Sequence, residues 1–324
     1  MLSQFSYLRA ASIKHAVDSA SRPETRILAG GTDLLGCLRE GLFQANRLVS
    51  LNGLAALKGI HPRSGGGLRL GALTTLTDIA ENRQILDTYP VLAQAAASVG
   101  SPQLRNQGTL GGNLCQRPRC WYFRGDFKCR RKGGDTCFAE AGDSQVHCIF
   151  GGGKCFMVHP SDTAPALVAL GAKVSIAGRR GTRIAPLSSF FLLPADSLEK
   201  ENTLQPGEII TEILLDPLQP GARSAYRKVR ERGAFDFTLA GAAIALTIAE
   251  GKVRTARVVL SGVAPIPWRS AEAEKAIIGK PLDASVAAAA AEAAVKDAVP
   301  LGDNGYKVPL VRGILAETLT ALAA

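Results

Sequence analysis

RNQGTLGGN at residues 105–113 runs directly into LCQRPRCWYFRGDFKCRRKGGDTC at 114–137, and VHCIFGGGKCFMVHP closes the segment at 146–160. Three glycines within the five positions 108–112 let backbone approach a ligand where a side chain would clash. Thr109 and Asn113 supply neutral hydrogen bonds beside them, and Arg105 a charge for phosphate. An irregular surface loop is the plainer alternative for 101–113. Six of the seven cysteines follow, at Cys115, Cys120, Cys129, Cys137, Cys148 and Cys155. No apolar periodicity fills Gly108–Pro160, so something other than a packed core is expected to order it. A long loop without regular structure is usually functional or disordered, and clustered thiols favour function.

Working outward, AGGTDLL at 29–35 is a second glycine turn, entered from a short strand at 26–29 and left through helical residues 34–40. A strand that passes through glycines into a helix presents N–H groups to phosphate oxygens. Around it, 1–50 reads as a βαβ-like unit, with a helix at 12–19 and a strand at 47–50. Beyond it come a strand from Leu68, a helix with Thr77 as N-cap, and an Ala-rich helix at 91–99. Asp162 either caps the helix 164–170 or bonds a sugar or ribityl hydroxyl. Strands are expected at 173–177 and 209–215, and the turn-rich 216–221 marks a domain boundary. The last hundred residues show strands at 225–229 and 254–261, a helix at 237–246 whose end reads equally as strand, and two further helices. Lys228 and Arg230 are expected as exposed strand charges able to reach a phosphate.

At 324 residues, 46% hydrophobic and 20% charged, the chain has the composition of a folded protein with room for two or three domains. The net charge of +10 gathers at Arg117, Arg119, Arg124, Lys128, Arg130, Arg131 and Lys132, with Asp126 the lone acid among them. These bases are expected to offset thiolates or a bound anion, or to meet an acidic partner. No nucleic-acid module is visible, and no apolar run reaches a membrane-span length. The N-terminus lacks a signal-peptide pattern, so the expected compartment is the cytoplasm, or the periplasm by folded co-export with a signal-bearing partner. The spacing Cys-x8-Cys-x7-Cys-x17-Cys from Cys120 matches neither zinc ribbons nor bacterial ferredoxins. Iron–sulfur, structural zinc and unliganded thiols stay open on spacing alone. The four histidines form no catalytic arrangement and read as surface or packing residues, so any chemistry belongs to a cofactor.

Taken together, AGGTDLL at 29–35, LGALTTLTDI at 70–79, RNQGTLGGN and PSDTAPALVALGA at 160–172 resemble the FAD-binding medium subunit of the xanthine dehydrogenase and aldehyde oxidase (molybdenum hydroxylase) family. The resemblance implies an α+β, two-part FAD-binding fold like vanillyl-alcohol oxidase (PCMH-type) over 1–55 and 56–218, then a small α+β domain over 219–324. It implies that Leu28, Ala29, Gly30, Gly31, Thr32, Asp33 and Leu34 wrap the FAD pyrophosphate and that Ser101, Thr109, Gly111, Gly112 and Asn113 line the other side. Asp162 would meet the ribityl or ribose region, with Lys228 near the cofactor.

The insertion at about 115–158 resembles the 4Fe-4S-bearing medium subunits of three-subunit aldehyde oxidoreductase and of 4-hydroxybenzoyl-CoA reductase, the former more closely. Motif matching gives Cys120, Cys129, Cys137 and Cys155 as cluster ligands and leaves Cys115 and Cys148 spare. The implied function is an electron relay. A large molybdenum-cofactor subunit hydroxylates an aldehyde or N-heterocycle, a small subunit with two 2Fe-2S clusters carries electrons to FAD here, and an external acceptor takes them. Two other readings are a zinc-stabilised binding protein without redox activity and the medium subunit of a complex that reduces the aromatic ring of a CoA thioester.

Overall fold

The computed structural model describes residue 2 and residues 4–323. The N-terminal unit holds β1 (Ser6–Arg9), α1 (Ile13–Ala20), β2 (Thr25–Leu28), α2 (Leu34–Arg39) and β3 (Arg47–Ser50). Its strands pair in parallel in the order β1-β3-β2, with Thr25 and Ser6 both opposite Arg47. Alternation on the central strand explains why a helix lies on each face: Val49 packs with Ala16 and Val17 of α1, Leu48 with Leu38 of α2. Ser12 starts α1 by accepting from the His15 N–H.

A second layer begins with β4 (Ile60–Pro62), β5 (Leu68–Gly71), α3 (Leu76–Glu81), α4 (Arg83–Thr88) and α5 (Pro90–Ala97). The cap of α3 is Thr75, not Thr77: Thr75 and Asp78 form a reciprocal capping box, while the Thr77 hydroxyl is occupied by Asn106 at 2.6 Å. Then come α6 (Pro102–Gln107), α7 (Leu110–Leu114), α8 (Trp121–Arg124), α9 (Thr163–Ala169), β6 (Lys173–Gly178), β7 (Gly181–Pro186) and β8 (Ile209–Leu215). The five strands form an antiparallel sheet in the order β4-β5-β8-β6-β7. Ile79, Leu92, Leu110 and Leu167 from the helices bury against Val174 and Ile213 of this sheet.

The C-terminal part has β9 (Ala222–Val229), β10 (Ala240–Ala249), β11 (Lys252–Ser261), β12 (Trp268–Arg269), α10 (Ala271–Ile277), α11 (Ala284–Val295) and α12 (Lys307–Ala323). Its antiparallel sheet runs β12-β11-β10-β9. The helix expected at 237–246 is absent, and the segment is the central strand β10. Ala242, Ile244 and Leu246 face the C-terminal helices, whereas Ala243 faces the core of the second layer. A strand buried on both faces is a continuous apolar run, and periodicity does not separate such a run from a buried helix.

Residues 108–160 are anchored better than their sequence suggests. Phe123, Ile149, Phe150 and Met157 are buried, and Ile149 and Phe150 belong to the C-terminal core. The Ile149 and Phe150 N–H groups donate to the Val263 carbonyl, and Asn304 Nδ2 donates to the carbonyls of His147 and Cys148. Single apolar residues and backbone bonds to a distant domain leave no periodicity to read.

Candidate functional site

A cavity of about 610 Å³ opens between the N-terminal unit and the second layer. The turn after β2 and the start of α7 form facing walls, Ala72 and Leu73 after β5 the floor, and residues 199–210 a further side. Of the residues anticipated for the cofactor, Ala29, Gly30, Gly31, Thr32, Asp33, Leu34, Thr109, Gly111 and Gly112 line it. Leu28, Ser101, Asn113, Asp162 and Lys228 are not among its lining residues.

The glycines have a structural reason beyond a ligand's approach. A Cβ on Gly30 would sit 2.0 Å from the Gln107 carbonyl oxygen, and one on Gly111 3.1 Å from that of Ala72. The first glycine turn therefore presses on the backbone of the second at Gln107, a contact only glycine allows, while Gly111 fits closely against Ala72 on the cavity floor. The anticipated loop at 101–113 is in fact two short helical turns. Ser101 accepts from the Leu104 N–H and Thr109 from the Gly112 N–H, so both hydroxyls serve as N-caps. Arg105 bonds the Val99 carbonyl at 3.0 Å.

Asp33 is held from the cysteine segment. Its carboxylate accepts from the Arg117 N–H at 2.7 Å and pairs with Arg119 at 2.9 Å and Arg124 at 2.7 Å. Arg124 also pairs with Glu40, Arg117 with Glu201 and Arg130 with Glu140. Five arginines expected to offset thiolates or meet a partner, the four above and Arg131, thus have carboxylates within the chain. Three cavity residues have no individual sequence signal. Arg26 stands over the Phe43 ring at 4.7 Å, and Arg117 over the Phe123 ring at 5.3 Å. Arg26 has no carboxylate partner among the described residues, and the helix N-termini of Leu34 and Leu110 flank the cavity with it. Arg26 and the N–H groups at 30–34, which have no acceptor among the described residues, fit the pyrophosphate of FAD, whereas those of Leu110, Gly111 and Gly112 are taken by Thr74, Ala72 and Thr109.

Asp162 and Lys228 form a separate buried pair, 2.8 Å apart with both side chains 4% exposed. This corrects two expectations. Lys228 is not an exposed strand charge, and α9 is capped not by Asp162 but by Ser161, whose hydroxyl accepts from the Ala164 N–H. The Asp162 carboxylate also accepts from Tyr226 at 2.7 Å and Thr238 at 2.6 Å, tying α9 to β9 and to the approach to β10. Asn113 Oδ1 accepts from the hydroxyls of Ser161 and Thr163 beside it.

None of the cysteines forms a disulfide. Cys115 stands apart by the cavity, where burial pushes its thiol up to about 12. The other five in the segment gather. Burial and then the charges of Cys155 and Cys129 push Cys120 up, and Cys155 and Cys137 act likewise on Cys148. Cys120 Sγ lies 3.2 Å from His147 Nε2. Among the described residues no three His, Cys, Asp or Glu side chains converge on a single metal ion. A cubane cluster holds its thiolates apart on separate irons. The neighbouring free thiols, with N–H groups of Arg131 that have no partner among the described residues, are a donor set chemically suited to an anionic metal–sulfur group.

His159, just after the segment, is buried with its ring edge on Phe191 at 4.7 Å, and desolvation lowers its pKa to about 4. Between an unfolded value near 6.5 and that folded value only the unfolded chain binds the proton. Stability is therefore present above pH 6.5 and is lost as pH falls through the window, at up to ~1.4 kcal/mol per pH unit. Urea midpoints taken from pH 7 to 4.5 are expected to fall, and His159→Gln to flatten that slope.

Residues 3–217 match the family described as the FAD binding domain in molybdopterin dehydrogenase, and residues 224–322 the CO dehydrogenase flavoprotein C-terminal domain. The chain is 36% identical to the aldehyde oxidoreductase FAD-binding subunit PaoB of Escherichia coli, covering 99% of this chain and 98% of that one. It is 26% identical to the carbon monoxide dehydrogenase medium chain of Hydrogenophaga pseudoflava, over 92% of this chain and 89% of that one. The solved H. pseudoflava CO dehydrogenase that lacks the Mo-pyranopterin moiety superposes with a TM-score of 0.79 at 25% identity, covering all of both chains. Quinoline 2-oxidoreductase of Pseudomonas putida shares the fold at a TM-score of 0.78 and 24% identity, over 100% of this chain and 98% of that one.

Proposed function

The chain belongs to the family of FAD-binding subunits of molybdopterin dehydrogenases, and we propose that it is the FAD- and 4Fe-4S-binding electron-transfer subunit of a heterotrimeric molybdenum hydroxylase acting on aldehydes. The observation that carries this reading is the cavity in which both glycine turns meet beneath two helix N-termini. Full-length similarity to an aldehyde oxidoreductase FAD-binding subunit supports the substrate class over reduction of an aromatic CoA thioester.

The N–H groups at 30–34, with Arg26, would hold the FAD pyrophosphate, and Ala72, Leu73 and Ile210 would keep water from its apolar parts. Bound FAD supplies a carrier that takes up and releases electrons one or two at a time. We assign the arrangement of a parallel unit and an antiparallel sheet around that cavity to the vanillyl-alcohol-oxidase type. Cys120, Cys129, Cys137 and Cys155 would hold the 4Fe-4S cluster.

The partners in this reading are a large subunit with the molybdenum cofactor, a small subunit with two 2Fe-2S clusters and an external electron acceptor. Neither nucleic acid nor a membrane is among them, and no described helix is long and apolar enough to cross a membrane.

Cys148 gathers with the proposed ligands, so the choice of four needs its own test. After anaerobic purification, Cys137→Ser is expected to lose most of its cluster iron, whereas Cys148→Ser and Cys115→Ser keep it. Equal iron in the Cys137 and Cys148 variants would contradict the assignment.

A further inference from the structure

Arg131 has the most buried side chain of any ion-paired arginine in the cysteine segment, 1% exposed. It sits in a tight turn that begins at Cys129: the N–H groups of Lys132 and Gly134 both donate to the Cys129 carbonyl. Gly134 fixes that turn, because a Cβ there would stand 1.8 Å from the Lys128 carbonyl oxygen. On one side the guanidinium is well held. Nη1 pairs with Glu201 Oε1 at 3.0 Å and donates to the Leu198 carbonyl. The contact with Glu201 is an ion pair without hydrogen-bond alignment, since Oε1 accepts no hydrogen bond among the described residues, and Oε2 stands 3.0 Å from Arg117 Nε.

On the other side Arg131 Nε and Nη2 have no hydrogen-bond partner among the described residues. A guanidinium stays charged in a protein and carries five N–H donors, and leaving two of them bare in the interior is costly. No oxygen or nitrogen of the described residues accepts from either group. The guanidinium lies beside the Cys155 side chain, within hydrogen-bonding reach of its sulfur.

We propose that Arg131 is a positioning residue of the sulfur site, its two unpaired N–H groups donating to the Cys155 sulfur and to an adjoining sulfide of the 4Fe-4S group, with Glu201 holding the guanidinium in place. The inference rests on the four-cysteine reading above. Hydrogen bonds to sulfur and net charge are among the levers on a cluster's reduction potential. A fixed cation with N–H···S bonds favours the reduced, more negative state. Glu201 and Arg117 line the cavity, so one string of ion pairs, buried at Glu201 and Arg131, joins the cavity wall to the cysteines.

The test uses the flavin- and iron-loaded complex, with iron and sulfide counted before a potentiometric titration followed by EPR. Arg131→Met is expected to keep its iron while the reduced-to-oxidised ratio at a fixed potential falls about tenfold, ~59 mV for a one-electron couple. Arg131→Lys, which keeps the charge without the fork, is expected to recover part of the shift. An unchanged midpoint with full iron would overturn the role of Arg131 and leave the four-cysteine reading intact. A wild-type complex without iron on this chain would overturn both. Should the methionine variant lose its cluster, pulsed EPR of the wild-type complex labelled with 15N-arginine decides. Guanidinium nitrogen coupling to the reduced cluster is the expected result, and its absence overturns the proposal.

Discussion

Asp162→Ala is expected to lower the unfolding free energy by ~3–5 kcal/mol, the range for removing one partner of a buried ion pair. The carboxylate is 4% exposed and accepts from Lys228, Tyr226 and Thr238 at once. Its loss leaves the Lys228 ammonium, itself 4% exposed, with only the Ser98 carbonyl at 3.2 Å. The pair spans two layers, because Asp162 begins α9 and Lys228 lies on β9. Urea denaturation compares midpoint and slope with wild type. The double variant Asp162→Ala/Lys228→Met is expected to recover a good part of the loss, since no charge then remains unpaired. A single variant within 1 kcal/mol of wild type would contradict this account of the pair.

Gly30→Ala is expected to abolish FAD retention through purification while the far-ultraviolet circular dichroism stays close to wild type. The added Cβ meets the Gln107 carbonyl oxygen at 2.0 Å and its carbon at 2.9 Å. Both are backbone atoms, so relief requires the first glycine turn to move away from the end of α6. That movement opens the cavity at the place where the two glycine turns converge. Gly36→Ala is the matched control. It lies six residues on, within α2, and its Cβ would meet nothing nearer than Arg124 at 4.0 Å. Full flavin in Gly36→Ala and less than a tenth in Gly30→Ala is the expected contrast. Equal flavin in both would remove the convergence of the turns from the account.

Both turns and most of the strands were legible in the sequence because their signals are local. A short β-rich run followed by two glycines and a helix specifies the turn at 29–35 without reference to any other part of the chain. The strand β10 was not legible, since burial on both faces erases the alternation that identifies a strand. The fates of Asp162, Lys228 and Asp33 were hidden for a different reason. Their partners are 66 residues away in the first pair and 84 to 91 residues away for Asp33. A charge in a sequence reads as exposed until the fold supplies an opposite one. The same distance concealed the basic residues at 117–131, which fasten the cysteine segment to Asp33, Glu40 and Glu201. Arg26 and Phe43 show the limit on the site itself: each is unremarked in sequence, and only their stacking beside the cavity singles them out.

In the proposed reading one chain holds a flavin between the glycine turns and an iron–sulfur cluster in the cysteine segment. Anaerobic purification followed by a visible spectrum, with flavin, iron, sulfide and zinc counted per chain, tests it most directly. Flavin bands over a broad iron–sulfur absorbance are expected, with one FAD and about four iron and four sulfide per chain. A colourless chain that holds zinc and no flavin would contradict it.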